Sequence, residues 1–199
     1  MTPEQTGLAY DQITHLWTRD DFNRKNGVAQ HRKAIAFAKN KHNALDVGCG
    51  CTGRFIDLLL EEGFAVSGID ISANMVALAR LRHPHLDFYH TDILSFSSSS
   101  RFDFITAWDS IWHVPLREQG TVLAKIVSLL KPGGIFIFTF GGTDEEGEHC
   151  NNAMGPQVCY STLGTNGFID CLMALGCKIK HLESDQMPEL HTYLIVEKI

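Results

Sequence analysis

The 199-residue sequence has no Cys-x-x-Cys pair among its six cysteines, Cys49, Cys51, Cys150, Cys159, Cys171 and Cys177. That removes the usual zinc and dithiol spacings, and no metal is expected. With no sign of export, all six read as buried or free thiols rather than disulfide partners. Long apolar runs are also missing, and the opening Met-Thr-Pro-Glu-Gln-Thr carries no basic region followed by an apolar segment. These two absences predict a soluble cytoplasmic chain with no membrane partner. Positive charge is scarce: 17 Lys and Arg stand against 23 Asp and Glu, for a net charge of −6. The basic residues are scattered rather than striped, which disfavours a nucleic-acid partner. There is no internal repeat, and the length suits one α/β domain.

What is present is a glycine-rich turn. Ala44 to Val47 is an apolar strand running into Gly48-Cys49-Gly50-Cys51-Thr52-Gly53, and Asp70 closes the next strand. Glycines let backbone amides approach a ligand without an intervening Cβ, and an acidic residue at that distance can hold ribose hydroxyls. The spacing alone does not separate NAD from S-adenosylmethionine.

Downstream, strand-like and helix-like segments alternate, the pattern of a sheet with helices on both faces. A helix follows Gly53, with Phe55, Ile56, Leu59 and Leu60 at helical spacing, and ends at Gly63. Ala65 to Asp70 is the second strand, and Ser72 caps a helix carrying Met75, Val76, Leu78 and Ala79. Leu86 to His90 and Phe102 to Trp108 are the third and fourth strands. A helix over Leu116 to Leu130 stops at Lys131-Pro132-Gly133-Gly134, and Ile135 to Phe140 is a strand apolar on both faces. A helix near Gly164 to Leu175 precedes a predicted antiparallel hairpin, Cys177 to Glu183 with Thr192 to Lys198. Residues 1–43 form a helical cap with helices near Leu8 to Trp17 and Ala29 to Lys39; residues 44–199 form the cofactor-binding core. Within the core, 141–163 is too long for an ordinary connection and is expected to be a substrate lid loop.

Asp46, inside the first strand, would repel a pyrophosphate and welcome an ammonium beside a sulfonium. Asp92 closes the third strand, placed to accept from an exocyclic amine, and no second glycine turn seats another nucleotide. At these residues the sequence resembles the class I S-adenosylmethionine-dependent methyltransferases. The resemblance covers residues 44 to 199 and rests on four motifs in order: Leu45 to Gly53, Gly68 to Ser72, Thr91 to Ile93, and Leu130 to Gly134. It implies a three-layer Rossmann-like sandwich around a seven-stranded, mostly parallel sheet with an antiparallel last strand. It also implies S-adenosyl-L-methionine as donor and S-adenosyl-L-homocysteine as product. Gly48, Cys49 and Gly50 would cradle the methionine part, Asp70 would accept both ribose hydroxyls, and Ile71 would pack on adenine near Met75. Asp92 with the Ile93 amide would read the adenine amine, and Asp46 would orient the ammonium through water.

Trp108-Asp109-Ser110-Ile111-Trp112-His113 lacks the Asn/Asp-Pro-Pro-Tyr signature of enzymes that methylate adenine or glutamine amines. Methyl transfer asks mainly for alignment, plus a base when the acceptor must lose a proton. His113 is the candidate base, the alternative being a histidine that caps the next helix or shapes the pocket wall. Asp109 is a second catalytic candidate, or a turn cap. Trp108 and Trp112 can wall the pocket, and Tyr10 and Trp17 can close over the cofactor. Glu145, Glu146, Glu148 and His149 can line the acceptor channel. The expected activity is methyl transfer to oxygen or nitrogen of a small molecule, by a monomer or homodimer. The competing readings are a non-catalytic cofactor-binding partner and a small NAD(P)-dependent oxidoreductase.

Overall fold

The computed structural model describes residues 1–199. Seven strands form one sheet in the order β3-β2-β1-β4-β5-β9-β8. They are β1 (Asn43–Val47), β2 (Ala65–Asp70), β3 (Asp87–His90), β4 (Phe102–Ala107), β5 (Leu130–Gly141), β8 (Cys177–Ser184) and β9 (His191–Lys198). The first five run parallel, while β9 is antiparallel to both β5 and β8. The expected sheet with its antiparallel last strand is therefore present. Strand order reverses between β1 and β4, and the crevice outside the carboxyl ends at such a switch is where open α/β sheets bind ligands.

Alternation along β5 divides the core. Phe136, Phe138 and Phe140 face α6 (Gln119–Leu129) and α7 (Gly164–Ala174). Ile135 and Ile137 face the other layer, made by α3 (Val28–Ile35), α4 (Arg54–Glu61) and α5 (Ala73–Arg82). The period-two pattern of a strand buried on both faces thus yields two apolar layers, one on each side of the sheet. β4 is buried along its whole length, including Asp103. That carboxylate accepts from Lys131 Nζ at 2.7 Å and the Asn43 amide at 2.9 Å, so it is buried paired.

Local signals fix the helix ends. Gly53 starts α4 in the left-handed region (φ 70°), and Gly63 ends it at φ 93°. There the Phe64 and Gly63 amides donate back to the Leu59 and Leu60 carbonyls, a Schellman closure. Ser72 caps α5, its hydroxyl accepting the Met75 amide at 3.1 Å.

Several expectations are corrected. The N-terminal region holds α1 (Pro3–Asp11) and α2 (His15–Thr18) rather than one helix over 8–17, because Thr2 and Gln5 form a capping box that starts α1 early. α3 stops at Ile35, four residues short of Lys39. The 116–130 helix begins at Gln119, after a short 3-10 turn over Leu116–Glu118 that follows Pro115. The helix ends at Leu129, just before the expected Lys131-Pro132-Gly133-Gly134 stop, and β5 takes in this segment, with Leu130 paired to Phe102 before the register shifts to Phe104 and Ile135. Within 141–163 the chain is not a bare loop: β6 (Gly147–Asn151) and β7 (Val158–Thr162) form a separate antiparallel hairpin. Its Cys150 and Cys159 face each other across the two strands and are joined as a disulfide. The expectation of six thiols therefore fails for this pair, because residues nine apart are brought opposite one another by a hairpin that composition did not reveal. Cys49, Cys51, Cys171 and Cys177 are free.

Candidate active site

A cavity of about 360 Å³ opens at the carboxyl ends of β1, β2, β3 and β4, within the size range of small-molecule pockets. Its floor is the glycine turn. Gly48 and Gly50 have φ of 74° and 55°, and the Gly48 and Cys49 amides donate to the Ile69 carbonyl at 2.8 and 3.0 Å. This ties the turn to β2. A Cβ on Gly48 would overlap Ser110, whereas one on Gly50 would meet no atom within 4 Å. Gly50 therefore borders free space that a ligand can enter closely.

Asp70 joins the turn to α5. Its Oδ2 accepts the Gly50 amide at 2.8 Å and its Oδ1 the Ser72 amide at 2.9 Å, and its side chain lines the cavity. Burial raises its pKa above the usual carboxylate value despite these amides. Asp92 uses Oδ1 to accept the Leu94 and Ser95 amides at 2.8 and 3.0 Å, and its side chain lines the cavity. Burial opposes its ionisation, but the Ser95 side chain, together with the Ser95 and Leu94 amides, outweighs it and holds the pKa low. Ile71, Met75 and Ile93 supply apolar wall beside the two carboxylates.

The opposite wall is aromatic. Tyr10 from α1 and Trp17 from α2 lie with ring centroids 5.4 Å apart, and both line the cavity. Tyr10 reaches His113, donating its hydroxyl to Nε2 at 2.6 Å. The other His113 nitrogen, Nδ1, contacts the Cys159 carbonyl at 2.8 Å and must carry the proton there. Trp112 Nε1 also donates to Nε2, at 3.0 Å. Burial pushes the His113 pKa down to about 4, so the ring is neutral near neutral pH, with its one lone pair already shared by two donors. Tyr160 of β7 packs beside it, ring centroids 4.8 Å apart.

Asp109 sits at φ 54°, an unusual backbone for a residue other than glycine. Its amide donates to Thr139 Oγ1 at 2.7 Å, its Oδ1 lies 3.0 Å from His191 Nε2, and its Oδ2 lies 3.5 Å from Arg54. On its far side His191 Nδ1 meets Asp185 at 2.5 Å. Burial alone would lower the His191 pKa, but the bonds to Asp109 and Asp185 raise it above the usual value. The result is an alternating row, Arg54, Asp109, His191, Asp185, along the cavity edge.

Residues 44–134 match the family model of a methyltransferase domain. A ubiquinone biosynthesis O-methyltransferase from Bradyrhizobium is 33% identical over 97 residues, which is 47% of this chain and 37% of that protein. The chain spans less than half the length of the curated relatives it matches. Among solved structures, magnesium protoporphyrin IX methyltransferase from Synechocystis has a TM-score of 0.75 at 16% identity, covering 100% of this chain and 98% of that one. A Burkholderia thailandensis 1,6-didemethyltoxoflavin-N1-methyltransferase also scores 0.75, at 20% identity, with 100% and 91% coverage. Over residues 44–134 the chain is similar to the methyltransferase-domain family, and its fold is that of these solved methyltransferases.

Set against S-adenosylmethionine, the cavity fits: an open approach at Gly50, a buried carboxylate at Asp70 and the Asp92 carboxylate line one side in sequence. Of the residues singled out beforehand, Tyr10, Trp17, Gly48, Cys49, Gly50, Asp70, Ile71, Met75, Asp92, Ile93, Trp108, Asp109 and His113 all line this cavity. Asp46 does not. It is 2% exposed behind the turn, and burial drives its pKa up to about 7 although Arg54 pulls the other way. Glu145, Glu146, Glu148 and His149 line a second recess that shares Trp112, Tyr160, Gln186 and His191 with the first. Sequence reasoning missed Arg54, Tyr160, Asp185 and His191. Arg54 directly follows the glycine turn, which was a usable signal; the others come from distant segments and had none.

Proposed function

We propose that this chain transfers a methyl group from S-adenosylmethionine to an oxygen or nitrogen atom of a small molecule. The observation that carries the reading is the continuity of one cavity, from Gly50, Asp70 and Asp92 on one side to Tyr10, Trp112 and His113 on the other. When bound, the cofactor supplies an electrophilic methyl on a sulfonium. The chain's own residues then bind and align. Asp70 keeps lone pairs for ribose hydroxyls while its amide partners fix its rotamer, and the Asp92 carboxylate takes an amine hydrogen. Tyr10 and Trp17 exclude water from above.

His113 is the base in this proposal, and Asp109 orients the cavity edge through Arg54 and His191. Because Tyr10 and Trp112 donate to Nε2, an acceptor hydroxyl must displace or share with Tyr10 to give up its proton there. Net charge of −6 and carboxylates along both recesses support a small acceptor over a nucleic acid. Of the proteins named above, one is a ubiquinone biosynthesis O-methyltransferase and another is an N1-methyltransferase with 1,6-didemethyltoxoflavin bound, which supports the same size class. No helix is long and apolar enough to cross a membrane. We place the protein in the cytoplasm, as a monomer or homodimer.

The test is incubation with S-adenosylmethionine and a panel of phenols, catechols, hydroxy acids and amines, read by mass spectrometry for a methyl gain. The proposal predicts methylated product and matching release of S-adenosylhomocysteine. Tight cofactor binding with no product from any panel member would favour a non-catalytic role.

A further inference from the structure

The hairpin β6 to β7 is a two-stranded sheet of its own, and such pairs are marginal in water without reinforcement. Reinforcement comes from the Cys150 to Cys159 bond between directly opposed positions. Cys150 is an exposed residue, whereas Cys159 is 8% exposed. The same hairpin holds the segment that carries His113. The Cys159 carbonyl accepts from His113 Nδ1 at 2.8 Å, and the Glu148 carboxylate accepts the Leu116 amide at 2.9 Å. The Ser161 hydroxyl donates to the Val114 carbonyl, and the Tyr160 ring packs on His113. By contrast, Gly50, Asp70 and Asp92 bond to the glycine turn, to the α5 start and to the turn after β3, and never to the hairpin.

We propose that Cys150 and Cys159 are a reversible thiol–disulfide site, addressed by small-molecule thiols, that sets the order of the His113 wall and leaves the Asp70 side unchanged. The names acceptor side and donor side for these halves rest on the function proposed above. In the reductive direction an external thiolate attacks Cys150 Sγ, the protein S–S bond breaks, and Cys159 leaves as a thiolate that takes a proton. A second external thiol attacks the mixed disulfide and frees Cys150. The protein gains two electrons and two protons, and the external thiols become a disulfide. In the cytoplasmic setting proposed above, a disulfide is of this responsive kind more often than a structural one.

The experiment uses the full chain equilibrated with oxidised or reduced glutathione, and a Cys150→Ser/Cys159→Ser double variant. Alkylation under denaturing conditions is expected to label four cysteines in the oxidised protein and six after reduction. Hydrogen exchange is expected to rise about tenfold or more across 147–162 and 111–119 on reduction and in the double variant, because local opening becomes easier. S-adenosylhomocysteine affinity is expected to stay within about threefold. Six labelled cysteines after oxidation, unchanged exchange over 111–119, or loss of S-adenosylhomocysteine binding on reduction alone would each overturn the proposal. Exchange needs no ligand, so failure to bind S-adenosylhomocysteine in either state would refute the methyltransferase reading while this comparison still stood.

Discussion

Replacing Asp70 with Ala should separate ligand binding from folding. The carboxylate's two oxygens already accept the Gly50 and Ser72 amides, and each retains a lone pair for a ribose hydroxyl. Hydrogen bonds to a charged group contribute about 1.5–3 kcal/mol each, so two lost bonds weaken binding by about 3 kcal/mol at the low end. At about 1.4 kcal/mol per tenfold, S-adenosylhomocysteine should bind roughly 100-fold more weakly. The unliganded fold should respond differently. Burial raises the Asp70 pKa, so the ionised side chain is less comfortable folded than unfolded, and that cost is present at pH 8 and fades as pH falls through the folded value. Removing it leaves two amides without their acceptor but also removes the buried charge, so the unfolding midpoint at pH 8 should hold or rise. Calorimetric titration with S-adenosylhomocysteine and thermal unfolding of the free protein read the two effects separately. A cooperatively folded variant that binds within about threefold of wild type would refute the reasoning.

Gly50→Ala should fold with a cost of roughly 1–2 kcal/mol for its left-handed backbone and lose S-adenosylhomocysteine, because its Cβ enters ligand space. Gly48→Ala carries the same backbone cost plus the overlap with Ser110, so a lower unfolding midpoint than Gly50→Ala is expected by calorimetry; equal midpoints would contradict the packing argument. Asp46, raised from 3.8 to about 7, stabilises the fold most below pH 4 and loses that contribution as pH rises through about 7. Asp46→Asn should therefore stabilise the free protein at pH 8, by up to about 4 kcal/mol at about 1.36 kcal/mol per pKa unit, and flatten its pH dependence in urea unfolding. An unchanged slope between pH 5 and pH 8 would remove Asp46 as the cause. His113→Ala should leave S-adenosylhomocysteine affinity intact and lower turnover by about 100-fold, as expected of a lost general base. Full turnover in that variant would reassign His113 to shaping the wall.

The donor half of the site was legible because its residues are local. Gly48, Gly50, Asp70 and Asp92 each sit at the end of a strand that the apolar pattern marks out, and parallel order brings those ends together. Ser72 as a cap and Gly63 as a stop follow the same logic of short-range signals. The acceptor half is assembled from separate segments. Tyr10 meets His113 across 103 positions, and His191 meets Asp109 across 82, so neither contact leaves a local trace. The hairpin at 147–162 was hidden because β6 is exposed, without the alternation that announces a half-buried strand. Missing it meant missing the pairing of Cys150 with Cys159. Asp46 shows the reverse case: the strand position was right, but the side chain is buried beneath the turn, under the charges of Arg54 and Asp70, and does not line the cavity.

The central claim, that this cavity seats one adenosine carrying an amino acid, is tested most directly by titration calorimetry of the free protein with S-adenosylhomocysteine and, separately, with NADH. The account predicts saturable binding of one S-adenosylhomocysteine per chain and no heat from NADH. Saturable NADH binding with none for S-adenosylhomocysteine would contradict it.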